Sequence, residues 1–223
     1  MTTITPAMED YLKTIFGLEE IGSRVTTQAI AEQLNVAAPS VTGMIKRLHE
    51  LKLVEHEPYR GVTLTEAGRK VALEVVRHHR LLELYLAEAL GYTWDEVHDE
   101  ADRLEHTISE AFAARIDEAL GFPTHDPHGD PIPTLSGDLP ASSDRRLSDL
   151  EEGHKAVVVR VMRDDGERLR YLGRLGLYPK AEVEVLEKLP FNGPLRIKVA
   201  GEEHILGLDL ASDVYVRELD EED

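Results

Sequence analysis

The apolar periodicity of this 223-residue chain changes once, and that change divides what it can fold into. Up to about residue 120, apolar residues recur every three or four positions, as one buried face of a helix requires. From His154 onward they come in short alternating or β-branched runs. These are Ala156-Val157-Val158-Val159-Arg160-Val161, Ala181-Glu182-Val183-Glu184-Val185-Leu186, Leu195-Arg196-Ile197-Lys198-Val199, His204-Ile205-Leu206-Gly207-Leu208 and Val214-Tyr215-Val216. Five such runs, interrupted by a short helix over 167–175, predict a small SH3-like barrel. Between the two regimes, over 122–152, prolines 123, 127, 131, 133 and 140 punctuate a polar stretch that reads as a linker, partly ordered at its start. The fold class is therefore mainly α with β: helices first, a β-barrel last.

The helical part is specific in its order. Thr5 and Pro6 suit an N-cap and first helical position, and Met8, Tyr11, Leu12, Ile15, Phe16 and Leu18 make the apolar stripe of a first helix that Gly22 ends. A second helix follows Thr26 or Thr27. After the Asn35-Val36 turn a third starts near Pro39-Ser40, with Val41, Met44, Ile45, Leu48 and Leu51 inward. Two β-prone runs around Pro58 to Gly61 follow. Helix, helix-turn-helix and hairpin in this order predict a winged helix-turn-helix, a scaffold that lays one helix in the DNA major groove. The residues placed to touch DNA are Ser40, Thr42, Lys46 and Arg47 on the third helix, Thr27 and Gln28 at the second, and Tyr59 and Arg60 on the wing. Thr65 opens a long helix to about Leu90. Thr93 and Glu96 form a capping box, and the helix it opens is expected to run to about Leu120. A helix that long has a second apolar face to bury, which predicts a homodimer.

The net charge of −18 opposes nucleic-acid binding only if it is spread evenly, and it is not. Residues 26–70 hold six basic and five acidic residues, so this stretch alone can approach phosphate without strong repulsion. No run of 18 apolar residues predicts a membrane span, and Met1-Thr2-Thr3-Ile4-Thr5-Pro6 has no signal-peptide pattern. With zero cysteines, disulfides and thiolate metal sites are excluded, and a cytoplasmic location is expected.

Chemistry concentrates in two blocks. His79 and Glu83 lie one turn apart, and His98, Asp102, Glu105 and His106 fall within about 110° of arc if they share a helix. Two such helices together would form a cage of nitrogen and oxygen donors. That set suits Mn²⁺ or Fe²⁺ better than a thiolate-seeking ion, although Zn²⁺, Co²⁺ or Cd²⁺ could substitute in vitro.

Taken in order, these features resemble the diphtheria-toxin-repressor and manganese-transport-regulator family of metal-dependent transcriptional regulators. Met8-Glu9-Asp10-Tyr11-Leu12, Pro127-His128-Gly129-Asp130-Pro131-Ile132-Pro133 and Tyr171-Leu172-Gly173-Arg174-Leu175-Gly176-Leu177-Tyr178-Pro179 match that family's first helix, its linker and the barrel shared with ferrous-iron-transport accessory proteins. The resemblance implies a DNA-binding domain over 1–75, a helical metal-binding and dimerisation domain over 76–140, a linker over 141–152 and the SH3-like domain over 153–223. It implies a primary metal site at Asp10, Asp102, Glu105 and His106, and an ancillary site at His79, Glu83, His98 and Asp165. His125 and His128 are expected to be structural. Carboxylates at 10 and 102, where the iron branch has Met and Cys, resemble the manganese branch. Lys13 stands where that branch can carry a further carboxylate, and Gly43 where the iron branch has a base-contacting Gln. The implied function is a DNA-binding regulator, a repressor, of manganese or iron homeostasis genes. Mn²⁺ is the first choice of activating ion and Fe²⁺ the second, and the partners are an operator duplex and a second copy of the chain, with no membrane and no small-molecule substrate. A winged-helix regulator that needs no metal, and a metal hydrolase, are the competing readings. The second lacks a separate base, nucleophile or oxyanion donor.

Overall fold

The computed structural model describes residues 4–22, 24–57, 61–140, 144–162 and 166–219. They form two compact units. One comprises Met1–His79, Leu104–Glu110 and Pro133–Asp138, and the other Arg80–Arg103, Ala111–Ile132 and Leu139–Asp223.

In the first unit, α1 (Pro6–Glu20) begins at an extended Thr5 with Pro6 in its first turn, and buries Met8, Tyr11, Leu12, Ile15, Phe16 and Leu18. Helix α2 (Thr27–Gln33) is capped by the Thr26 hydroxyl, which accepts the Ala29 N–H at 3.0 Å. Helix α3 (Ala38–Glu50) buries Val41, Ile45 and Leu48 and leaves its other face in solvent. Strands β1 (Val54–Glu57) and β2 (Gly61–Leu64) pair antiparallel, Val54 opposite Leu64, so the expected hairpin is present. The hairpin is anchored: the Leu64 N–H donates to the Glu19 carboxylate at 2.9 Å, and the Val62 N–H to the Val25 carbonyl at 2.9 Å. Tyr59 and Arg60, expected on the wing, lie outside the described residues.

Helix α4 (Glu66–Leu90) carries an unusual run of buried polar side chains: Arg77, His78, His79, Arg80 and Glu83. Burial of such groups is tolerable only with partners. Arg77 donates to the Pro133 carbonyl at 2.7 Å within the first unit, and Arg80 to the Pro131 carbonyl within the second.

The helix expected over 93–120 is instead two, α5 (Val97–Leu104) and α6 (Glu110–Ala119). The Leu104 carbonyl, which a continuing helix would give to Ile108, also accepts the Thr107 N–H at 2.9 Å and the Thr107 hydroxyl at 2.8 Å. A hydroxyl that competes for the helical ladder draws the chain into a turn. Glu105 and His106 therefore stand in a turn, not on the helix that the spacing suggested. Of the expected capping box one half is present: the Glu96 carboxylate accepts both the N–H and the hydroxyl of Thr93, at 3.3 and 2.7 Å, while the Glu96 N–H goes to the Thr93 carbonyl and α5 starts at Val97.

The second unit holds the sheet. Strands β3 (Arg145–Arg146), β4 (Lys155–Val161), β5 (Glu182–Lys188), β6 (Leu195–Val199), β7 (Glu202–Leu206) and β8 (Val214–Glu218) run antiparallel in the order β3-β8-β4-β5-β6-β7. The short β3 is a strand that periodicity did not predict, and the run expected over 204–208 stops at Leu206, before α8 (Leu208–Ser212). Helix α7 (Gly166–Arg174) crosses over with Leu169 and Leu172 buried among Val158, Val185, Ile197 and Val216. Within the expected linker, Asp126, His128 and Ile132 are buried. Gly129, at φ +89°, fits because a Cβ there would lie 1.9 Å from the Val159 carbonyl oxygen on β4. Asp165 lies outside the described residues. Among the described residues no helix is long and apolar enough to cross a membrane.

Candidate metal centre and DNA-reading face

In the first unit, α1 and the turn after α5 bring Asp10, Glu105 and His106 together, with one potential ligand atom from each within 4.8 Å of the others. Nε2 of His106 is 2.7 Å from Asp10 Oδ1 and 3.4 Å from Glu105 Oε1. Its other nitrogen, Nδ1, is 2.6 Å from Glu9 Oε2. Burial pulls the His106 pKa down, but the Glu9 hydrogen bond and the charges of Glu105 and Asp10 outweigh it, and the net direction is up. Glu105 is buried and faces His79 Nδ1 at 2.5 Å and Lys13 Nζ at 2.8 Å. Burial raises its carboxyl, yet the His79 hydrogen bond and the Lys13 charge prevail and hold it below its usual range.

Glu9 is a functional candidate that the sequence reading passed over. On a first helix its carboxylate looks solvated. Only the fold shows that it faces the far nitrogen of a histidine. A carboxylate in that position fixes the tautomer and ring orientation of a ligating imidazole. Two carboxylates and one imidazole, with no sulfur, are hard and borderline donors that suit Mn²⁺ or Fe²⁺.

Asp102, the fourth expected ligand, is about half exposed and pairs with His98 at 3.6 Å on its own helix. His79 Nδ1 lies 2.5 Å from Glu105 Oε2 and 3.1 Å from Lys13 Nζ.

The second unit builds another donor group. Glu83 Oε1 is 3.2 Å from His98 Nδ1, and Glu83 Oε2 is 3.8 Å from His128 Nδ1. Glu83, Asp126 and His128 are all buried and offer ligand atoms within 4.8 Å of one another. Nε2 of His128 lies 2.7 Å from the Trp94 carbonyl, which can only accept, so Nε2 carries the proton. In the neutral ring this puts the lone pair on Nδ1, on the side facing Glu83, the form a metal requires. The ring stacks on Trp94 at 5.7 Å. His128 was expected to be structural and Asp126 was not considered. Their place in a proline-rich stretch hid them, although the Asp126-Pro127-His128 spacing was a usable signal.

On the reading face, Ser40, Thr42, Lys46 and Arg47 of α3 are exposed together with Gly43, where a Cβ would meet nothing within 4 Å. The Thr42 hydroxyl donates to the Ala38 carbonyl at 3.1 Å, which leaves its methyl and lone pair outward. Thr27 opens α2, and the exposed Gln28 amide donates to Glu32 at 2.7 Å.

Three family descriptions match in order. They are the iron-dependent-repressor N-terminal DNA-binding domain over residues 3–62, the iron-dependent-repressor metal-binding and dimerisation domain over 65–134, and the FeoA domain over 145–218. The chain is 36% identical over 217 residues to the iron-dependent repressor IdeR of Mycobacterium tuberculosis, covering 92% of this chain and 94% of that protein. It is 33% identical over 231 residues to the diphtheria toxin repressor of Corynebacterium efficiens, covering 99% of each. Among solved structures, a manganese-dependent transcriptional repressor in complex with manganese is 40% identical with a TM-score of 0.90, covering 95% of this chain and 100% of that one.

Proposed function

The chain belongs to the iron-dependent-repressor family of metal-dependent, DNA-binding transcriptional regulators, and on that premise we propose that Mn²⁺ is its activating ion, held first by Asp10, Glu105 and His106. The family is one of repressors, not enzymes, so the hydrolase reading falls. One observation supports this site above the others. Residues 96 positions apart in sequence, Asp10 and His106, meet at 2.7 Å with Glu105 beside them. An all-oxygen-and-nitrogen donor set favours Mn²⁺ or Fe²⁺ over softer ions, and the likeness to a manganese-bound repressor favours manganese between those two.

Bound there, the ion would supply two positive charges among three carboxylates. The rest follows from the chain. Asp10 is on the first helix of the DNA-binding domain, and Glu105 and His106 are on the turn that follows α5. Glu9 accepts from His106 Nδ1 and so presents Nε2 to the ligand position. Closing this group ties α1 to the turn and fixes the domain that carries α3. Metal and DNA are then coupled ligands, each raising affinity for the other. On α3, Lys46 and Arg47 would hold phosphates while Ser40 and Thr42 approach base edges, with Thr27 and Gln28 adding contacts at α2 and the wing residues Tyr59 and Arg60 at their own edge. Asp102 stays as the fourth ligand to be tested by mutation.

We assign the ancillary site to Glu83 and His98 of the expected set and add Asp126 and His128 from the second unit; Asp165 lies outside the described residues. The stretch matching the dimerisation domain exposes Leu90, Tyr92 and Phe112, by 57, 40 and 49%, which supports a homodimer. Calorimetric titration with Mn²⁺ tests the primary site. Asp10→Ala and His106→Ala are expected to abolish the tightest binding step, while Glu83→Gln removes a different one. Unchanged isotherms for the first two would refute the assignment.

A further inference from the structure

Lys13 is a cation placed among metal-type donors. Its ammonium nitrogen is 2.9 and 2.8 Å from the two Glu105 oxygens and 3.1 Å from His79 Nδ1. The Glu105 and His79 side chains are 1% and 0% exposed, and that of Lys13 is 19% exposed. This is not a surface ion pair. A surface lysine would trade its partner for water at little cost, whereas removing Lys13 would leave a buried carboxylate with less charge to compensate it.

We propose that Lys13 is a tethered stand-in for a second divalent ion: its ammonium takes the position that faces both Glu105 and His79, so that this donor group accepts one metal ion and not a pair. The inference rests on the assignment of the primary site to Asp10, Glu105 and His106. Charge supports it independently. Glu9, Asp10 and Glu105 contribute three negative charges around this point, four with Asp102 as the further ligand, whereas Lys13 contributes three positive charges with one divalent ion and five with two. A second divalent ion would leave uncompensated positive charge in a partly buried pocket, which is expensive. With a carboxylate at position 13 the balance would instead require two ions.

A second consequence concerns affinity. The ammonium grips both oxygens of Glu105, so an incoming ion must share a ligand that is already engaged. Lys13 thus keeps Glu105 ordered before metal arrives, and weakens the hold on the metal once it does. The sensing threshold is set partly by this side chain.

The test is Mn²⁺ electron paramagnetic resonance with binding stoichiometry, on full-length wild type, K13R, K13Q and K13E. Wild type and K13R are expected to show isolated-ion spectra at this site. K13E is expected to take up one further ion per chain with an exchange-coupled spectrum. K13Q, which removes charge without adding a ligand, should bind its first ion about tenfold more tightly. It should also show a larger manganese-induced rise in Tm, because its apo form loses the resident cation. A coupled pair in the wild type would overturn the proposal without help from any variant, so it stands or falls even if K13E does not fold. K13E with wild-type stoichiometry, or K13Q with unchanged affinity, would overturn it as well. Failure of wild type to bind manganese at all would strike the primary-site assignment beneath it, a separate result.

Discussion

His106 is gripped on both ring nitrogens by carboxylates, and the two contacts have different jobs. Asp10 approaches Nε2, the nitrogen proposed to take the metal, whereas Glu9 lies against Nδ1, where a carboxylate would orient the ring. Glu9→Gln keeps the shape but loses the charge, and should weaken Mn²⁺ binding by roughly 10- to 100-fold, the usual effect of removing such a partner. Calorimetry reads it, and an unchanged Kd would show that Glu9 is only a surface carboxylate. Gly129 makes a structural prediction. At φ +89°, with the Val159 carbonyl where a Cβ would sit, Gly129→Ala is expected to destabilise the second unit by about 2 kcal/mol or more. Chemical denaturation would measure it. At this scale the sequence displayed Glu105 and His106 through their clustering and Asp10 through its family position. It concealed Glu9, Asp126 and His128, because a carboxylate on a helix and a histidine in a proline-rich stretch have no periodic signature. Their partners come from distant parts of the chain.

Among elements, the winged helix was legible because each piece carries its own local signal: Thr26 as a cap, the α3 stripe, the turn chemistry before Gly61. The break between α5 and α6 was not, because Thr107 fits a helical pattern until its hydroxyl takes the Leu104 carbonyl. Helix α3 makes the DNA prediction. Lys46→Ala and Arg47→Ala should each weaken binding across all sequences and reduce the salt slope by about one unit, as loss of a phosphate contact does. Fluorescence anisotropy over a salt series measures the slope, and a variant that loses sequence preference with an unchanged slope would place that residue on a base edge instead. A pH prediction belongs to α7. Arg170 donates to Asp95 at 3.0 Å, and although burial raises the Asp95 carboxyl, the hydrogen bonds from Arg170 and Thr93 carry it below its usual value. A depressed folded pKa contributes stability that is complete above the unfolded value, near 3.9, and is lost as pH falls through the folded one. Asp95→Asn should therefore be less stable than wild type at neutral pH, and the two unfolding curves should converge in acid. A constant gap down to the lowest accessible pH would mean that the pair is structural without being charge-dependent.

For the molecule as a whole, composition alone misleads. The charge of −18 argues against DNA, and only its uneven distribution leaves residues 26–70 free to approach a duplex. The two-period pattern announced a helical part and a β part, and the three matched family domains follow that order. Metal binding to a folded group raises stability by mass action, so saturating Mn²⁺ should raise Tm and a chelator should reverse it. Phe112→Asp should shift a dimer toward monomer in light scattering if the exposed apolar residues of the dimerisation stretch are the interface. Above all, an ion held by Asp10, Glu105 and His106 is proposed to switch DNA binding on. The direct test uses a duplex selected from random sequence by the manganese-loaded protein, and compares its affinity with Mn²⁺, with chelator, and for Asp10→Ala with Mn²⁺, all at one salt concentration. Coupling of this kind is expected to cost about a hundredfold in affinity in both the chelated and the mutant cases. Equal affinity with and without manganese, or an Asp10→Ala protein that still responds fully to it, would contradict the account.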